Sequence, residues 1–103
     1  MKYLVAWTYR ANGTAEQNEQ SFRRGLAAFA QWQQPDSTIY HQFLSRVDGG
    51  GGFAVVETDN PEDIAEVTAK FSFIAEYQVY PVLDMADGVQ LLYKGVEFLG
   101  GIE

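Results

Sequence analysis

Histidine occurs once in the chain, at His41, and no other side chain exchanges protons near neutrality at its ordinary pKa. General acid or base chemistry therefore falls first on His41 as the candidate catalytic residue. Arg46 and Glu57 offer a second kind of chemistry. The guanidinium can hold a substrate carboxylate and the carboxylate can carry a proton. Trp7 and Tyr9, together with Trp32, Tyr40 and Phe53, present flat faces able to stack on an aromatic ligand. Each group also has a plain structural reading. A strand histidine can be satisfied by a hydrogen bond beside the core, Arg46 and Glu57 can pair between strands or subunits, and aromatics on strands commonly form core or interface.

The elements that must position these residues follow from periodicity. Tyr3, Val5, Trp7 and Tyr9 alternate with Leu4, Ala6, Thr8 and Arg10, a strand pattern over Met1 to Arg10. Ala11-Asn12-Gly13 reads as a turn. Thr14, followed three residues on by Gln17, resembles a capping box, and Phe22, Leu26 and Phe29 form one side of a helix reaching about Gln33. Pro35 ends that pattern. Strands are expected over Thr38 to Val47 and Phe53 to Thr58, joined by a hairpin turn at Gly49 to Gly52. No lysine or following helix makes that glycine run a phosphate loop.

Centring the hairpin on the glycines sets Leu44 opposite Glu57 and Arg46 opposite Val55. Arg46 and Glu57 then share a face as diagonal neighbours, while His41 falls on the other face with Phe43, Ser45, Val56 and Thr58. Asp59 to Asp63 carries helix-start signals, and Ile64, Val67 and Phe71 supply the buried side of a helix over about 61–71. A fourth strand spans about Glu76 to Leu83, with Pro81 marking an edge or a bulge. Asp84 opens a last helix whose Met85, Val89, Leu92, Val96 and Leu99 recur at steps of four and three beside Gly88 and Gly95. Those glycines weaken it as an isolated helix, so it needs docking against the sheet or another chain.

The order β-α-β-β-α-β plus a tail helix is the ferredoxin-like arrangement of the α+β class, in one domain over 1–103. Its strands carry bulk on both faces. Two helices cover one face, and an identical subunit is the simplest cover for the other.

Composition limits the remaining functions. The chain has 103 residues, 47% of them hydrophobic, with no cysteine and a formal net charge of -7. One domain of this length can bury a real core. Without cysteines there are no disulfides, thiolate nucleophiles or common zinc and iron-sulfur sites, and one histidine leaves imidazole-rich metal sites without ligands. No metal and no cofactor is expected. No apolar run reaches the roughly 18 to 20 residues that cross a bilayer, and no signal-like segment opens the sequence, so the expected compartment is cytoplasmic with no membrane partner.

Charge is uneven. Up to Arg46 there are five basic and three acidic residues, and from Val47 onward two basic and eleven acidic. An acidic chain repels phosphate backbones. This bears on the RNA-recognition motif, which shares the strand and helix order. Gly51 to Thr58 matches its third-strand motif only in part, because Gly51 replaces a basic residue, Val55 and Thr58 replace stacking aromatics, and Glu57 adds repulsion. No nucleic-acid partner is expected.

Met1 to Arg10, His41 to Asp59 with its glycine-rich hairpin and Val-Val-Glu-Thr strand, and Pro81-Val82-Leu83-Asp84 resemble the DUF3303 family over nearly the whole chain. The resemblance implies a place among the dimeric α+β barrels, a superfamily of small cofactor-free monooxygenases, isomerases and stress-responsive proteins. The family itself has no agreed activity. Haem-degrading members of that superfamily typically place a histidine ligand on a helix, and the helix over 61–71 has none. The reading is a homodimer with a cofactor-independent small-molecule site between sheet and helices, using His41, Trp7, Tyr9, Arg46 and Glu57. The alternative is a non-enzymatic dimeric binding or stress-related module in which Arg46, Glu57 and the aromatics hold the dimer.

Overall fold

A computed structural model describes residues 1–11 and 13–102. The turn expected at Ala11-Asn12-Gly13 includes Asn12, which lies outside the described residues. The elements follow the expected order: β1 (Lys2–Tyr9), α1 (Ala15–Gln31), β2 (Ile39–Ser45), β3 (Gly51–Glu57), α2 (Glu62–Phe71), β4 (Ala75–Val82) and α3 (Met85–Ile102). All strand pairs are antiparallel and the sheet order is β2-β3-β1-β4, an α+β ferredoxin-like domain. Pro81 sits on edge strand β4, where its missing N–H costs the sheet no central hydrogen bond.

Local chemistry sets the helix ends. The Thr14 side chain accepts a hydrogen bond from the Gln17 N–H, and the Gln17 side chain accepts one from the Thr14 N–H, completing the capping box. At α2 the Asn60 side chain accepts from the Glu62 N–H. Asp63 Oδ2 accepts from the hydroxyls of Ser37 and Thr58, tying α2 to the ends of β2 and β3.

Two small clusters form the core. Val5, Ala54, Val56 and Ile64 pack between the sheet and α2, and Phe71, Ile74 and Ala75 pack where α2 leads into β4. Ile64 and Phe71 are buried and Val67 half-buried, as the spacing of α2 requires. Helix α1 behaves differently. Its apolar side of Phe22, Leu26 and Phe29 stays open, Leu26 at 69% exposure, and Gly25 is its one buried residue. Gly25 is the point of close approach, because a Cβ there would run into the Ile74 side chain. Elsewhere α1 meets the sheet through ring contacts, Phe22 on Tyr9 and Phe29 on Phe43, and not by close backbone approach.

The hairpin corrects the expected register. Gly51 and Gly52 belong to β3 and not to the turn, since a Cβ on Gly51 would strike the Trp7 carbonyl and one on Gly52 the Leu44 carbonyl and the Trp7 ring. The turn therefore centres on Asp48 and Gly49, the latter at φ 74°. Leu44 pairs with Phe53, Gln42 with Val55 and Ile39 with Glu57, so neither Leu44 opposite Glu57 nor Arg46 opposite Val55 occurs. From Gln42 to Ser45 the displacement is an even number of residues and keeps the faces of β2 and β3 in phase. A bulge between Tyr40 and Gln42 then turns His41 onto the face of Glu57, away from Phe43, Ser45 and Val56.

Candidate functional site

Tyr3, Val5, Trp7 and Tyr9 of β1, Ala54 and Val56 of β3, and Ala75 and Tyr77 of β4 all face the helices. Because α1 is held off this face, a cavity of about 490 Å³ lies beneath it, within the roughly 300 to 1,000 Å³ range of small-molecule sites. Its wall includes the rings of Trp7, Tyr9, Phe29, Trp32, Phe43 and Tyr77. Among the described residues no charged side chain lines it.

The wall is held by aromatic contacts. The Phe43 ring lies 5.7 Å from Trp7, 5.9 Å from Phe29 and 5.3 Å from Tyr40, and Tyr9 meets Phe22 at 5.2 Å. Each side chain is therefore braced by its neighbours while one face remains toward the space. Polar atoms at the wall are neutral: the phenols of Tyr9, Tyr40 and Tyr77, the Ser45 hydroxyl and the two indoles. Burial pushes the Tyr77 phenol up to about 12, aided by the nearby Tyr9 and Tyr40 phenols, so it stays protonated at neutral pH. Burial likewise raises Tyr40, with Asp63 adding to the effect.

The structure separates the residues that the sequence grouped. Trp7 and Tyr9 line the cavity. His41 and Glu57 lie on the opposite, outer face of the sheet, where His41 Nε2 is 2.8 Å from Glu57 Oε1. That hydrogen bond, first among its causes, holds the Glu57 carboxyl below its usual range. Arg46 joins neither. Its guanidinium pairs with Asp48 inside the hairpin turn, and Asp48 Oδ1 also accepts from the Gly50 N–H. The backbone donor, followed by Arg46, holds the Asp48 carboxyl low. The expected Arg46 and Glu57 pair is thus replaced by a His41 and Glu57 pair, because the bulge delivers His41 and the turn captures Arg46.

Sequence reasoning did not assign Phe22, Phe29, Phe43 or Tyr77 to a site. The signal was present in α1, whose apolar side is mostly aromatic, but spacing alone does not show that a helix stands off its sheet. Among the described residues there is no cluster of three or more His, Cys, Asp or Glu side chains arranged to hold a metal ion. No helix among them is long and apolar enough to cross a membrane.

The fold and cavity together define a small ferredoxin-like α+β protein with an uncharged, aromatic-walled space between sheet and helix. Residues 1–96 match the model of the family described as "Domain of unknown function (DUF3303)", and the chain belongs to that family. No curated protein matches the chain. Among solved structures it is similar to SCO4226 from Streptomyces coelicolor A3(2), at 15% identity and TM-score 0.41 over 80% of this chain and 98% of that one. It is also similar to SnoaB, a cofactor-independent oxygenase from Streptomyces nogalater, at 19% identity and TM-score 0.33 over 81% of this chain and 92% of that one.

Proposed function

We propose that this protein is a cytoplasmic homodimer that binds an uncharged aromatic small molecule in the cavity beneath α1 of each subunit, without a cofactor. The observation that carries this reading is the cavity wall: about 490 Å³ bounded by aromatic rings and neutral hydroxyls, with no charged group to pair with an ionic ligand. An anion or cation there would lose much of its water and meet no opposite charge. A flat neutral guest would instead stack on Trp7, Phe29 or Phe43 and meet the hydroxyls at its edge.

Dimerisation is supported by the outer sheet face. Ile39, Leu44, Phe53 and Tyr80 are exposed there, an apolar surface of the kind that a second copy covers. His41 and Glu57 share that face, which gives the pair a place at the subunit contact. Arg46 holds the turn. The reading is therefore one of binding, closer to the dimeric module than to acid-base catalysis by His41.

The two tryptophans of the chain both line the cavity, so their fluorescence reports directly on occupancy. Titration with 2-naphthol should quench it saturably, and 2-naphthoate, of the same shape but anionic, should bind at least about tenfold more weakly. Equal affinity for both, or no saturation with either, would overturn the proposal.

A further inference from the structure

Helix α3 spans 18 residues, about 27 Å, and none of them is buried. Leu91, Leu92, Tyr93, Val96, Phe98 and Leu99 are all more than half exposed. The molecule measures 61 × 32 × 22 Å, its long axis well beyond the length of any strand. Among the described residues nothing buries any part of this helix, and only Gly88 and Val89, near its start, are half-buried.

The pattern on α3 shows what kind of surface it fits. Met85, Leu92 and Leu99 occupy the d positions of a heptad repeat and Val89 and Val96 the a positions, an uninterrupted seam of the type that packs knobs-into-holes on another helix. A sheet would not demand the alternation of four and three. The positions flanking the seam are small: Gly88 and Gly95 on one side, Ala86 and Gly100 on the other beside Tyr93. A Cβ at Gly88, Gly95 or Gly100 would meet nothing within 4 Å, so the hollows beside the seam are open to an incoming side chain. Asp87, Lys94 and Glu97 all fall on the far side of the helix.

We propose that α3 packs along this seam against α3 of a second copy of the chain. Each copy carries -7, which makes most surfaces of two copies repel, but the seam and its flanks hold no charged side chain, so two copies meet there without placing like charges against each other. Identical seams also satisfy two-fold symmetry, each copy supplying both knobs and hollows. The proposal rests on the dimer reading above and adds the helix that extends the contact beyond the outer sheet face.

The 103-residue chain has no cysteine, so engineered thiols are unique reporters. Leu92→Cys, at the middle of the seam, should be joined into covalent dimers by a short bismaleimide, whereas Lys94→Cys, on the far side, should not. Leu92→Asp should raise the dimer dissociation constant at least about tenfold in sedimentation experiments. Since Leu92 is 70% exposed within the chain, the body should remain folded, as shown by unchanged quenching with 2-naphthol. A wild-type monomer at micromolar concentration would sink the dimer reading and this proposal together. A wild-type dimer whose Leu92→Cys form stays unlinked, or whose Leu92→Asp form keeps wild-type affinity, would overturn the α3 contact alone.

Discussion

Replacing Tyr77 with Phe removes one hydroxyl from the cavity wall and leaves the ring that packs 6.3 Å from Trp7. Burial is the main reason that the phenol is pushed from 10.0 up to about 12 in the folded chain. An unfolded chain ionises it near 10, so between pH 10 and 12 the folded state holds more protons than the unfolded one and stability falls as pH rises. The full difference corresponds to about 2.7 kcal/mol and is approached only above pH 12, and about half of that is expected for a side chain that is only part-buried. Urea unfolding curves at pH 8 to 12 measure it directly. Wild type should lose about 1 kcal/mol more than Tyr77→Phe across that range, and the 295 nm absorbance of native wild type should show Tyr77 titrating later than the exposed tyrosines. Parallel stability curves for the two proteins, or a Tyr77 that ionises with the exposed tyrosines, would refute the placement of its hydroxyl in a poorly hydrated wall.

Other predictions test the parts that build the site. Gly51→Val should lower unfolding stability by about 3 kcal/mol, read from urea midpoints, because its Cβ would meet the rigid Trp7 carbonyl and not a side chain that can move aside. Phe43→Ala should cost about 2 kcal/mol, less than a fully buried phenylalanine because the ring is half exposed, and should weaken 2-naphthol binding in the same fluorescence titration. His41→Ala should let the Glu57 carboxyl rise toward 4.5 in an NMR titration. Since a lowered carboxyl pKa stabilises above the unfolded value and loses that effect as pH falls through the folded one, the variant should show a shallower loss of stability below about pH 4.5, with cavity binding unchanged.

The element order was legible because each signal is local. Alternation in Tyr3 to Tyr9, the Thr14 and Gln17 capping pair, Pro81 at a sheet edge and the helix after Asp84 all appear in the structure where their chemistry places them. What sequence did not reveal depends on contacts between distant residues. Gly51 and Gly52 look like turn residues until Trp7 is seen to need their bare Cα atoms. One extra residue at His41 changes its face, and nothing in Tyr40-His41-Gln42 announces a bulge. The side of Phe22, Leu26 and Phe29 was legible as apolar, but whether it closes on the sheet or roofs a cavity depends on the aromatic bulk rising from the strands. For that reason Trp7 and Tyr9 line the cavity, while His41, Arg46 and Glu57 are distributed between the outer face and the hairpin turn.

The most direct test of the central claim is a set of intermolecular NOEs between 2-naphthol and the protein. Contacts from the ligand ring to the side-chain protons of Trp7, Phe29 and Phe43 are predicted, with none to His41. Contacts confined to the outer sheet face around His41 and Phe53, or none to the cavity wall at saturating ligand, would contradict it.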